Sequence, residues 1–372
     1  MTPMHADAMG SRSDELPSSN ADAHHPLVYV LHSSSMYGTE RMALATAKGL
    51  AGKFNTIFVG PRGPAMWEAE RLGFPTHYFQ TTKALVQVIR LLLRQYPSLT
   101  FASTLPRYSI LCKALNVVYR RNINHIYVMH GSCDEERDFG RIRFLNSFDI
   151  RIVAVSDYVK RKLIEHGSRP DRIEVVPNFL LPEQIAAMGR RGPFSSGVHS
   201  ALCVSRIEEP KRFDVLLDAI ARHLELGDFP IDVAGGGERL EHFSRRARMT
   251  APNVKFLGFV EDLPRRYAQS DLLIHPCPTE AFGLVVIEAM AAGIPVLVAD
   301  EGGPATLVDD GVTGFKFRSN DPDDLARRLI ELRNSDPDLL NRVTANAAKA
   351  LEKNLSAAAS LERYRQVFAP SP

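Results

Sequence analysis

Cysteine is scarce in this chain of 372 residues. Cys112, Cys133, Cys203 and Cys277 stand far apart and form no Cys-x-x-Cys pair, which argues against a disulfide framework and against a paired-thiol zinc site. Reduced thiols in a cytoplasmic protein are the expectation. Long apolar runs are also lacking. The best one, Ala281 to Ala299, is interrupted by Glu288, Gly293 and Pro295, so no membrane-spanning helix is expected. Residues 1–26 have no apolar core of signal-peptide type and read as a disordered leader. No G-x-G-x-x-G follows a strand pattern, and the GGG at 235–237 has the wrong spacing, which disfavours a nicotinamide-dependent dehydrogenase. Neither sign of charge dominates, with a formal net charge of +2. The positive charge is concentrated between Leu27 and Asn178, whereas the chain from Phe179 onward is slightly acidic. That asymmetry points to an anionic partner of the first half, a membrane surface or an acidic acceptor, or else to a solvated basic face. No nucleic-acid partner is expected.

What is present is an ordinary globular composition, 45% hydrophobic and 24% charged, in a chain too long for one core, so two domains are expected. Short β-branched runs alternate with amphipathic segments. LVYVLHS is followed by GTERMALATAKGLA, NTIFVG by PAMWEAERLG, and SLTFAST by RYSILCKALNVVYRR. This alternation predicts parallel sheets with helices on both faces. A first α/β domain is expected over 27–180, a Gly/Pro/Ser-rich linker over 181–199 and a second α/β domain over 200–355. A last helix within 356–372 is expected to return to the first domain. Helices are expected from Pro322 and from about Ala357 to Phe368.

The informative stretch is HPCPTEAFGLVVIEAMAAGIPVLVAD, from His275 to Asp300. Ligands of parallel α/β sheets bind beyond the carboxyl ends of the strands. A helix starting near Phe282 or Gly283 leaves Glu280 in the loop before it and Glu288 in its second turn. Between the two lie the free amides of a helix start, which suit a phosphate, and Gly283 would let an anion approach closely. A carboxylate, an anion site and a second carboxylate in that order suit a nucleotide sugar. Capping and solvent exposure are the alternative for Glu280. Glu288 resists it, because Leu284, Val285, Val286, Ile287, Ala289 and Met290 surround it and a buried carboxylate needs partners.

The segment Pro276 to Pro295, with Glu280, Phe282-Gly283 and Glu288-Ala289-Met290, resembles the nucleotide-sugar site of the large retaining glycosyltransferase family of GT-B fold, the family-four or group 1 type. VSRIEEPKRFDVLLDAI, VAGGGERLE, FLGFV and EGGPATLVDDGVTGF extend the resemblance in the second half, and SSSMYGTERMAL, VMHG and VVPN extend it in the first. The chain departs from the family pattern at Tyr37-Gly38, at Phe179 and at Thr306. The resemblance implies two Rossmann-like doubly wound parallel-sheet domains facing a central cleft. It implies donor contacts from Gly38, Arg206, Lys211, Val260, Glu280, Phe282, Gly283, Leu284 and Glu288. Catalytic roles would fall to His130, Arg206, Lys211 and Glu280. Two cations five residues apart, Arg206 and Lys211, would stabilise a departing diphosphate in place of a metal, so no metal or cofactor is expected.

The expected function is a retaining transfer of a hexose-type sugar from a UDP-, GDP- or other nucleoside diphosphate sugar to a hydroxyl of a glycan, lipid-linked or small-molecule acceptor. A nucleotide-sugar epimerase or a noncatalytic sugar-nucleotide binding protein of the same fold are the alternatives. An epimerase would need no acceptor, and a binding protein would turn nothing over. The basic helix KALVQVIRLLLRQY raises peripheral contact with the inner membrane face through Lys83, Arg90 and Arg94, although a core-packed helix with a basic edge is the favoured reading.

Overall fold

The computed structural model describes residues 24–131 and 135–370, with the backbone alone over 135–138. Residues 1–23 of the expected leader and Cys133 lie outside the described residues. The first half contains strands β1 (His25–Val30), β2 (Phe54–Gly60), β3 (Thr76–Tyr78), β4 (Ser98–Ser103), β5 (Asn122–Met129), β6 (Arg151–Ala154) and β7 (Ile173–Val175). Its helices are α1 (Gly38–Gly49), α2 (Pro64–Arg71), α3 (Thr82–Gln95), α4 (Pro106–Tyr119), α5 (Glu135–Ile142) and α6 (Asp157–Glu165). A short helix, α7 (Pro182–Ala187), occupies part of the expected linker. The second half contains β8 (Ala201–Val204), β9 (Ile231–Ala234), β10 (Val254–Gly258), β11 (Leu273–His275), β12 (Val296–Ala299) and β13 (Phe315–Phe317). Its helices are α8 (Phe213–Arg222), α9 (Leu240–Thr250), α10 (Leu263–Ala268), α11 (Leu284–Ala291), α12 (Gly303–Leu307), α13 (Pro322–Arg333), α14 (Pro337–Asn354) and α15 (Ala357–Phe368).

These strands form two wholly parallel sheets, in the orders β3-β2-β1-β4-β5-β6-β7 and β10-β9-β8-β11-β12-β13. Both sheets are doubly wound, as expected for two Rossmann-like domains of GT-B type. The central strand β1 shows why. Leu27, Val28, Tyr29 and Val30 are all fully buried, the continuous apolar signature of a strand covered on both faces. The chain reverses its direction of travel across each sheet between β1 and β4 and between β8 and β11. Those two switch points open the crevices where ligands of such sheets bind.

In α3, Leu85, Ile89, Leu92 and Leu93 recur at helical spacing and are buried in the first core, while Lys83, Arg90 and Arg94 are exposed. The helix is therefore core-packed with a basic edge. Among the described residues no helix is long and apolar enough to cross a membrane. The pattern missed α5, α6, α10 and α12, which are short, with two or three turns at most. It gave the helix from Pro322 no end and did not mark α14. Pro337 starts a new helix there, with Asp336 accepting a bond from the Asp338 amide at 2.9 Å. The Asp-x-Asp triplets 321–323 and 336–338 are both used in this way, since Asp321 caps α13 through the Asp323 and Asp324 amides.

The last helix crosses back to the first sheet. Tyr364 and Phe368 are fully buried beside Tyr29 and Phe54, and the Phe368 carbonyl accepts a bond from Thr100 Oγ1 at 2.8 Å. Asn124 Nδ2 donates to the carbonyls of Val367 (2.9 Å) and Ala369 (3.0 Å). A Phe368→Ala substitution leaves a cavity where β1 meets α15. It is expected to cost roughly 3–5 kcal/mol in urea-unfolding free energy.

Candidate active site

Strand β11 ends at His275, and the loop after it leads into α11 through Gly283, which adopts the left-handed conformation at φ 95°. A side chain there would be strained, and its Cβ would stand 2.9 Å from Pro304 Cγ. The same loop interlocks with the Gly302-Gly303 turn. The Gly303 amide donates to the Glu280 carbonyl at 2.7 Å, and a Cβ on Gly303 would fall 2.1 Å from the Ala281 carbonyl oxygen. Helix α11 starts with no side-chain cap and no acid in its first turn. Its leading amides, at Leu284 and the residues beside it, keep the partial positive charge that attracts an anion.

Glu280 lies in the loop before this helix start, paired with the Lys211 ammonium. Burial alone would raise the Glu280 carboxyl, but the charge of Lys211, with smaller help from His275 and Arg206, holds it well below the usual 4.5. Burial alone would likewise lower Lys211, and Glu280 holds it above its ordinary value. His275 and Cys277 are buried beside the pair, and burial lowers the imidazole to about 4. Ligand atoms of His275, Cys277 and Glu280 lie within 4.8 Å of one another, but the cation on that carboxylate is the lysine itself. Arg206 follows β8, bonds Glu208 at 2.6 Å and stands 5.2 Å from the centre of the Tyr37 ring in the opposite domain. Its loop is shaped by the glycine turn at 235–237, where a Cβ on Gly235 would stand 1.8 Å from the Ser205 carbonyl oxygen. Val260 is half-buried beyond β10 and packs on the cluster that contains Tyr267 and Met290.

Glu288 is 1% exposed, and both its oxygens are engaged. Arg41 of α1 donates to Oε1 at 2.5 Å, and the buried Tyr267 hydroxyl donates to Oε2 at 2.9 Å. Arg41 belongs to the other domain, so this ion pair spans the cleft. Around it the two halves share an apolar cluster, in which Ala281, Phe282, Ile287 and Ala291 pack with Tyr127, Met129, Ile152 and Tyr158. Ser156 Oγ donates to the Ala281 carbonyl at 2.6 Å while capping α6 through the Val159 amide. Gly38 and Gly131 make close approach possible from the first domain. A Cβ on Gly38 would lie 3.4 Å from Leu284 Cδ1, and one on Gly131 would lie 3.7 Å from Ala281 Cβ.

His130 follows β5, with both ring nitrogens shut off from solvent and no hydrogen-bond partner for them among the described residues. Burial, with a smaller effect of His32, lowers it to about 3, so it is neutral at physiological pH. The structure thus gathers Gly38, His130, Arg206, Lys211, Glu280, Phe282, Gly283, Leu284 and Glu288 around one cleft. Arg41, Ser156 and Glu40 went unmarked in the sequence. Glu40 is buried in the first turn of α1, where burial raises its carboxyl against the lowering effect of the Glu40 and Tyr37 amides, the Ser33 hydroxyl and Arg206. The N-cap of this helix is Tyr37, so no Ser/Thr-x-x-Glu capping box announces Glu40 in the sequence.

Two family models match the chain, "Glycosyltransferase Family 4" over residues 36–184 and "Glycosyl transferases group 1" over residues 191–350. A D-inositol 3-phosphate glycosyltransferase of Streptomyces scabiei is 33% identical over 253 residues, covering 61% of this chain and 56% of that protein. Its counterpart in Streptosporangium roseum is 33% identical over 199 residues, covering 48% of this chain and 46% of its own length. The chain therefore spans about half the length of the curated relatives it matches. Among solved structures, Anabaena HepE in complex with UDP and glucose superposes with a TM-score of 0.78 at 19% identity, over 92% of this chain and 99% of that one. A glycosyltransferase from Rickettsia africae gives 0.78 at 20% identity, over 93% and 98%. At these identities the likeness concerns the fold.

Two outcomes follow from the pairing. Arg41→Ala strands a buried carboxylate and is expected to lower unfolding free energy by roughly 3 kcal/mol, read by urea denaturation. Because the folded Glu280 carboxyl lies below its ordinary value, pairing contributes stability above that value and loses it as pH falls through the folded one. The gap in stability between wild type and Glu280→Gln is expected to narrow as pH falls from about 5 to about 2, and a constant gap would contradict the pairing.

Proposed function

The chain belongs to the family-four glycosyltransferases of GT-B fold, and on that basis we propose that it moves a hexose-type sugar from a nucleoside diphosphate sugar to an acceptor hydroxyl. The observation that carries this reading is the convergence, at one uncapped helix start, of the Lys211–Glu280 pair, Arg206 and Glu288, with His130 opposite. Glu280 takes hydroxyls of the donor sugar. The amides of Phe282, Gly283 and Leu284 take phosphate, with Gly38 closing over it. Val260 lies toward the base, and Glu288 takes the ribose, whose hydroxyls join or replace Arg41 and Tyr267.

The transfer retains anomeric configuration. The bond from the anomeric carbon to the diphosphate breaks as the acceptor oxygen bonds to that carbon on the same face, and the acceptor proton passes to the departing phosphate oxygen. Arg206 and Lys211 carry the charge that grows on the diphosphate, the task a divalent cation performs elsewhere. No metal or other cofactor enters this scheme. His130, neutral and with no hydrogen-bond partner among the described residues, orients the sugar by hydrogen bonding. The UDP and glucose bound to HepE support a UDP-sugar donor. The inositol phosphate in the relatives' names supports a small polyol among the glycan, lipid-linked and small-molecule acceptors. A cytoplasmic site of action suits a nucleotide-sugar donor.

Incubation with UDP-, GDP-, ADP- and dTDP-sugars, with binding and hydrolysis measured, tests the reading. At least one donor should bind, and Lys211→Ala and Glu288→Gln should each weaken it by about tenfold or more, the scale of one charge-assisted hydrogen bond. Binding and turnover untouched by both substitutions would sink the donor site. An isomerised sugar nucleotide formed without acceptor would identify an epimerase.

A further inference from the structure

Two buried groups beside the Lys211–Glu280 pair have no part in the transfer, the His275 imidazole and the Cys277 thiol. Both belong to the run His-Pro-Cys-Pro-Thr-Glu at 275–280. A proline after each biases His275 and Cys277 to extended backbone, where residues two apart face the same way. A turn at Pro278-Thr279 then leads to Glu280. One ligand atom from each of these three residues lies within 4.8 Å of the other two. The paired-thiol pattern of a zinc site is missing from the sequence. A single thiolate, an imidazole and a carboxylate nevertheless make up a donor set for a tetrahedral ion with one position left open.

His275 supplies an independent observation. Its Nε2 is shut off from solvent and has no hydrogen-bond partner among the described residues, an arrangement that costs free energy unless a ligand completes it. Cys277 Sγ donates to the Pro210 carbonyl at 3.1 Å and stands 3.7 Å from Thr279 Oγ1. Glu280 is half-buried, so the trio is reached from the cleft. At ordinary zinc bond lengths ligand atoms stand about 3.5 Å apart, and the three have to close by little more than about 1 Å. The obstacle is Lys211, whose ammonium holds the carboxylate that a metal would take. A thiolate and a carboxylate together neutralise a dication, and the long flexible stem of Lys211 lets its ammonium swing away toward water.

We propose that His275, Cys277 and Glu280 form a binding site for a thiophilic divalent cation of the zinc type, taken up in competition with the Lys211 ammonium. Three metal–ligand bonds form, the Lys211–Glu280 ion pair breaks, and the Cys277 thiol proton leaves to solvent. The site itself owes nothing to the donor reading. Its consequence rests on that reading: with Glu280 ligated and Lys211 displaced, the nucleotide-sugar site loses two of its contacts, and the cation inhibits.

Cobalt(II) is the probe, added to the full chain under a phosphine reductant. A tetrahedral cobalt site absorbs in the visible, and a cobalt–thiolate bond adds a charge-transfer band in the near ultraviolet. Wild type should show both, and zinc should bleach them. Cys277→Ser should lose the charge-transfer band. In His275→Gln, zinc affinity read by competition with a chromophoric chelator should fall by about tenfold or more. Lys211→Ala should instead tighten zinc binding by about tenfold, because the competing ammonium is gone, a response that a surface site would not give. Circular dichroism reports whether each variant is folded, and the three substitutions bear on the site independently. Equimolar zinc should weaken UDP binding to wild type by about tenfold or more and should not weaken it in Cys277→Ser, which controls for zinc–UDP complexes in solution. If UDP fails to bind the metal-free protein, the donor reading falls and the cobalt spectra still decide this proposal. No charge-transfer band in wild type, an undiminished band in Cys277→Ser, or equal zinc affinity in wild type and Lys211→Ala would overturn it. Zinc bound at this trio without effect on UDP binding would overturn the inhibition.

Discussion

A carboxylate removed from water must be given partners, and much of this molecule's arrangement follows from how Glu288 receives them. Its helix is apolar on nearly every side, so its own domain offers little beyond the hydroxyl of Tyr267. The cation comes from α1 of the other domain. That single requirement ties the two halves together at the point where the ligand crevice lies. The apolar cluster of Ala281, Phe282 and Ile287 with first-domain residues and the Ser156 bond to Ala281 reinforce the same junction. The segment that forms the candidate donor site is thus also the one that holds the cleft together.

The second carboxylate illustrates the opposite solution. Glu280 finds its cation within its own domain, in Lys211, and the pair stands at the mouth of an uncapped helix. Charges of both signs beside free backbone amides suit a ligand whose hydroxyls and phosphates must be held at once. Most of the electrostatic work is done in advance by burial, because a low-dielectric cleft strengthens each contact and removes the reorganisation that water would require. Glycines make this possible by geometry. Gly283, Gly303 and Gly235 sit where a single added carbon would collide with backbone or proline.

Much of the architecture was legible from periodicity. Strands such as LVYVLHS and SLTFAST and helices such as KALVQVIRLLLRQ carry their period in the residues themselves, because burial on one face or both is a local demand on composition. The elements that escaped notice, α5, α6, α10 and α12, are short, and their burial is decided by neighbours distant in sequence. The division of α13 from α14 was readable from Asp336-Pro337, a cap followed by a helix-starting proline, and went unread because the apolar spacing continues across it. In the site, Glu280, Glu288, Arg206 and Lys211 were recognisable as a pattern. The partner of Glu288 was not, since nothing near Arg41 in the chain signals a residue 247 positions away.

The sequence alone determined that two parallel α/β units exist, that their strand ends carry a phosphate-suited helix start between two glutamates, and that basic charge gathers in the first half. These are properties of neighbours in the chain, where spacing is enough. Only the tertiary structure decided that Glu288 pairs with Arg41, that Ser156 bonds the Ala281 carbonyl and that the His130 nitrogens have no hydrogen-bond partner among the described residues. Each of those depends on which strand lies beside which and on how the two sheets face each other. The packing of the whole core settles that, and no short segment encodes it.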